Sequence, residues 1–195
     1  MALTEIEFEL PALQHERMGY PPLKPGETLD VILDVGVLLP DTAADTWFAV
    51  QKETLPARFV AVGPATYAFC GQIQAADIVK DEGVEGEYEE SATLLVMCGN
   101  VPLRVTCAPQ ADGRLPYGTW ETRYLTGYGR IQGIVEEAFS TPIGQSVGVT
   151  IWRFRRLVLT PGDAVFGEWR TTDDLPSAPY QHDRVLVTAH LHHSR

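Results

Sequence analysis

Two apolar runs bracket Gly99-Asn100 in the stretch Ala92 to Cys107, ATLLVMCGNVPLRVTC. Gly at the first of two turn positions suits a type II′ turn, so the stretch is predicted to be a β-hairpin. A two-residue loop also fixes its register, with Cys98 facing Val101, Val96 facing Leu103, Leu94 facing Val105 and Ala92 facing Cys107. Every member of that set is apolar, and a slip by one residue would turn the whole set toward water. The other face carries Thr93, Leu95, Met97, Pro102, Arg104 and Thr106, the mixed surface of a strand pair covered on one side and partly on the other.

The rest of the chain reads in the same way. Glu5 to Leu10 alternates strictly, with Ile6, Phe8 and Leu10 opposite Glu5, Glu7 and Glu9. The Pro- and Gly-rich connection GYPPLKPG, Gly19 to Gly26, follows, so residues 1–26 form an N-terminal strand and linker with the freedom to pack apart from the body of a single β domain, 1–195. Leu29 to Val37 alternates again, Trp47 to Val50 and Arg58 to Val62 are short strand candidates, and Ala43 to Lys52 also fits one short helix. Tyr67 to Val79 is a strand through Gly71. Asp77 to Glu90 holds seven carboxylates against one Lys and reads as a solvated loop, since its donors do not follow the EF-hand order. Thr119 to Val135 is predicted to be one long strand bent at Gly127, Gly129 and Gly133, Val147 to Leu159 another, and Arg184 to His193 the last. The fold class expected is therefore mainly β, an antiparallel barrel or sandwich with about nine strands and at most two short helices.

Charge and cysteines bound the partners. Residues 1–90 hold 5 Lys+Arg and 17 Asp+Glu, while residues 91–195 hold 10 and 9, so the acidity of this net −11 chain lies in its first half. All basic residues of the second half are Arg, the side chain suited to carboxylates and phosphates. Cys70, Cys98 and Cys107 form no disulfide framework and no zinc spacing, and they read as small buried apolar residues of a reducing compartment. No apolar run approaches the roughly 18 residues that span a bilayer, and the start lacks a signal core, so a cytoplasmic protein without membrane contact is expected.

The strand bent at Gly71, the Ala92 to Cys107 hairpin and the W-E-T-R-Y-L-T-G-Y-G-R-I pattern of residues 120–131 follow one another in an order that resembles an OB-fold barrel over residues 65–160. The resemblance implies a barrel able to bind single-stranded nucleic acid. The helix that joins the third and fourth strands of that fold has no counterpart in the breaker-rich Pro109 to Gly118, and barrel and sandwich both stay open.

Three clusters carry candidate chemistry. Trp120, Arg123, Tyr124, Tyr128 and Arg130, with Arg153 and Arg155 further on, interleave rings and guanidinium groups as a single-strand-binding surface does. Strict alternation, however, places Trp152, Phe154 and Arg156 on one side of their strand and Arg153 and Arg155 on the other. Ser146 stands in G-x-S-x-G ahead of Asp163, Asp173, Asp174 and Asp183 and then of His190, His192 and His193, the order of a serine hydrolase, although Pro142 before it and the β-branched run after it do not suit a nucleophile elbow. His190 and His192 share a strand face at metal-pair spacing, and two imidazoles do not complete a site; a third ligand would have to come from His193, His182 or the carboxylate-rich segment. The reading these features favour is a non-catalytic binding or assembly module, self-associating or joined to a protein partner, with no cofactor and no metal. Single-stranded nucleic-acid binding and a Ser146 hydrolase are its alternatives.

Overall fold

The computed structural model describes residues 4–82, 88–116, 124–135, 143–176 and 183–192. Its elements are β1 (Thr4–Glu9), α1 (Ala12–Arg17), β2 (Thr28–Leu38), β3 (Trp47–Gln51), β4 (Arg58–Gly63), β5 (Thr66–Glu82), β6 (Tyr88–Cys98), β7 (Val101–Cys107), β8 (Tyr124–Arg130), β9 (Gln132–Ile134), β10 (Ser146–Leu157), β11 (Trp169–Thr172) and β12 (Arg184–Leu191). The chain is mainly β, with a closed barrel and further strands. The elements gather into two compact units, and β2 is divided between them after Leu33. No described helix is long and apolar enough to cross a membrane.

The first unit holds β1, α1, the first part of β2, and β9 to β12. Its strands close a ring in the order β10, β12, β1, β9, β2 and back to β10, with β11 added along β10. β1 runs antiparallel to β12 from Thr4 opposite Leu191 to Glu9 opposite Leu186, and the last part of β1 meets β9 in parallel. Ile6, Phe8, Val149, Ile151, Phe154, Val187 and Ala189 point inward and are buried. A methyl group at Gly133 would lie 2.5 Å from the Phe8 ring, so the glycine lets β9 approach that ring. Helix α1 is tied on by Gln14, whose Oε1 accepts the Val135 N–H at 3.0 Å.

The second unit runs β2, β7, β6, β5, β8, β3, with β4 on β5. The path returns to its start through a parallel bridge between Trp47 and Leu39, the residue after β2, and the Phe48 N–H donates to the Leu39 carbonyl at 2.9 Å. The hairpin has the expected register, Cys98 to Val101 through Ala92 to Cys107. Leu94, Val96, Leu103 and Val105 are fully buried with Phe48, Phe69 and Leu125. Two parallel pairings, β1 with β9 and β2 with β7, add to the antiparallel pattern.

Several expectations are corrected. Among the described residues there are twelve strands and one helix, and residues 47–51 are strand rather than helix. Tyr124 to Ile134 is not one strand: it breaks at buried Ile131, with β8 in the second unit and β9 in the first. Gly127 makes room under the Phe69 ring, so close packing, as well as bending, explains a glycine there. The carboxylate-rich segment is mostly ladder, since β5 and β6 stay paired out to Glu82 opposite Tyr88.

Candidate functional site

The outer face of β1, β12, β10 and β11 in the first unit carries the most organised polar cluster. Its geometry starts from an irregularity in β10. Val147, Val149 and Ile151 point inward on odd numbers, but Phe154 and Val158 are the buried residues further on, so one extra residue must intervene. The ladder shows it: Ile151 pairs with Ala189 and Arg153 with Thr188, which leaves Trp152 as the bulged residue. Trp152 and Arg153 therefore both face outward, and Arg155 follows them on the same side. Strict alternation across this segment was the wrong expectation. The bulge brings Trp152, Arg153 and Arg155 together, and only Phe154 and Arg156 turn in.

On this face the side chains form a connected row. The Arg153 guanidinium lies 5.4 Å from the centre of the Trp152 ring, and its Nε donates to Thr188 Oγ1 at 3.3 Å. Thr188 Oγ1 donates in turn to Glu7 Oε2 at 3.3 Å. Glu7 accepts two Arg155 nitrogens, Nε at 3.0 Å and Nη2 at 2.7 Å, and Arg155 lies 5.5 Å from the Trp169 ring centre. Arg184 makes a similar two-nitrogen contact with Glu9, at 2.9 and 2.7 Å. These long side chains cover the outer face of β12 so well that Leu186 and Thr188 are buried on a side that sequence alternation assigns to water. The rings stay open: Trp152 is 50% exposed, Trp169 38%, and Phe166 in the turn before β11 58%.

At one end of the ring Asp183 accepts from Arg156 Nε, from the Leu159 N–H at 2.6 Å and from Thr160 Oγ1 at 3.0 Å. Burial alone would raise its pKa, but these hydrogen bonds and the Arg156 charge outweigh burial and hold the carboxyl below the usual carboxylate range.

The other candidates fall elsewhere. Trp120 and Arg123 lie outside the described residues. Tyr124, Tyr128 and Arg130 share the outward face of β8, between inward Leu125 and the inward glycines, and Tyr128 stands opposite Trp47. They belong to the second unit, whereas Arg153 and Arg155 belong to the first. Ser146 opens β10 in extended backbone paired with Ile32, and the chain continues as strand through Leu157, so the strand-turn-helix of a nucleophile elbow is not formed. His190 stacks on Trp152 at 5.7 Å and 20°, while His192 Nε2 lies 2.6 Å from Thr150 Oγ1, so the two imidazoles engage different partners. Among the described residues no three His, Cys, Asp or Glu side chains converge as metal ligands do. All three cysteines are buried thiols, and burial pushes Cys98 and Cys107 up to about 12, far from the thiolate form.

Sequence reasoning missed Trp169 and Phe166, and it missed Glu7 as the partner of Arg155, a contact that spans 148 positions of chain. The bulge did leave a signal: buried-type residues move from odd to even numbers between Ile151 and Phe154. Compared with models of known families, with curated proteins and with solved structures, the chain matches none.

Proposed function

We propose that the protein is a non-catalytic binding or assembly module whose docking face is the outer surface of β10, β11, β12 and β1. The observation that carries this reading is the row from Trp152 through Arg153, Thr188, Glu7 and Arg155 to Trp169. Trp and Arg are the side chains that concentrate binding energy at protein interfaces, and here their rotamers are held by one another before any partner arrives. Because Glu7 balances Arg155 and Glu9 balances Arg184, a partner can cover the rings without leaving these guanidinium groups unpaired. The partner class this favours is another protein surface with an apolar centre.

The finer likeness to OB-fold barrels belongs to the same proposal. It is supported by the way β5 pairs with β8 up to Gln72 and with β6 from Gln72 onward, and by the β6 and β7 hairpin that follows. Single-strand binding is the second reading, favoured by the shared face of Tyr124, Tyr128 and Arg130.

A photo-crosslinking residue at position 166, expressed in the native host, tests the docking face. A discrete protein adduct that disappears when Trp152 and Trp169 are replaced by Ala is the expected result. Adduct formation indifferent to both substitutions, or none at all, would overturn the reading.

A further inference from the structure

The strand most open to a partner in the second unit is β4, Arg58–Gly63, with the sequence RFVAVG. It pairs with β5 along one edge only, Arg58 opposite Cys70 through Ala61 opposite Tyr67 and then, past a bulge at Val62, Gly63 opposite Thr66, and among the described residues no strand takes its other edge. The strand is held in place, since the Phe59 ring stacks on Tyr67 with centroids 4.2 Å apart. Five of its six residues are exposed, including Val60 at 53% and Val62 at 50%. Edges of this kind are blunted by Lys, Pro or bulges; β4 has no Lys and no Pro, and its one irregularity, at Val62, leaves Arg58 to Ala61 in regular pairing.

We propose that the β4 edge pairs antiparallel with β4 of a second copy of this chain, about a two-fold axis at Val60. This inference concerns a different surface from the docking face above and stands apart from it. The charge pattern of the strand selects the occupant. Arg58 is its only charged residue and stands at one end. A two-fold antiparallel pair centred on Val60 sets Val60 against Val60 and Phe59 against Ala61, and brings each Arg58 toward the bulged Val62 of the other copy. The two Arg58 then sit four residues apart along the ladder, roughly 14 Å at the usual rise and beyond the roughly 8 Å screening length of physiological salt. A parallel pair would set them side by side. The contact is thus apolar and self-complementary at its centre, while each whole chain carries a net charge of −11. Salt therefore acts on the repulsion between copies and leaves the contact itself intact.

Sedimentation velocity on the full chain over a wide range of concentration tests this. The average mass is expected to climb from the monomer toward twice its value, and to climb further as salt is raised. Val60→Lys and Val60→Glu each place like charges opposite one another across the axis, and each is expected to weaken association about tenfold. Mixing the two variants is expected to restore it. A mass fixed at the monomer under all conditions, association that Val60→Lys leaves unchanged, or a mixture no better than either variant alone would each overturn the proposal. A monomeric chain that still gives the crosslink from position 166 would sink the self-pairing and leave the docking-face reading standing.

Discussion

The Asp183 side chain has no exposed surface yet carries its charge, because Arg156, the Leu159 N–H and Thr160 Oγ1 take over from water. A carboxyl whose folded pKa lies below its unfolded value contributes stability above the unfolded value, near 4, and loses it as pH falls through the folded value. Asp183→Asn removes the buried charge that Arg156 Nε bonds and is expected to cost about 3 kcal/mol at neutral pH. The gap between wild type and variant in denaturant melts should narrow as the pH drops below about 4 and should be constant above about 6. A gap that widens on acidification would contradict this account. Little of it was legible in the sequence. Asp183 read as one of several acids following a serine, and only the folded chain sets it against Arg156.

The β10 bulge decides which of the consecutive large side chains WRFRR reach the surface, and it makes a sharp prediction about deletions. Removing Trp152 takes out the extra residue and leaves Ile151 opposite Ala189 and Arg153 opposite Thr188, so the variant is expected to keep cooperative unfolding and a β-type circular dichroism spectrum. Removing Phe154 sets an arginine at its fully buried position opposite Val187 whether or not the bulge persists, and this variant is expected not to fold. Equal behaviour of the two deletions would mean that the bulge does not set the register. The Ala92 to Cys107 hairpin was fully legible because its turn and its apolar faces agree. The ends of β5 and β6 were not, since Asp and Glu are depleted in strands and seven of them together read as loop. Pairing with Ser91, Glu90 and Glu89 extends β5 through Val79, Lys80 and Asp81, and Lys80 bonds Glu90 at 3.3 Å.

For the whole molecule, the division into an acidic first half and an Arg-bearing second half is undone within the first unit, where Glu7 and Glu9 of β1 meet Arg155 of β10 and Arg184 of β12. The arginines that suggested a phosphate-binding surface are to that extent internal counter-charges. Single-stranded oligonucleotides are therefore expected to show negligible affinity at physiological salt in a fluorescence anisotropy titration, given a net charge of −11. Tight binding that falls steeply with salt and is lost in Tyr128→Ala and Arg130→Ala would promote the single-strand reading instead.

The ring of the first unit also has a consequence for the order in which the chain can fold during synthesis. The ladder from β2 through β8 is complete once Arg130 has left the ribosome, so the second unit has its strands early. β1 must wait for β12, whose pairing with it extends to Leu191. Until β12 has emerged the alternating apolar residues Ile6 and Phe8 are without their native cover, so β1 is made well before it can find its place.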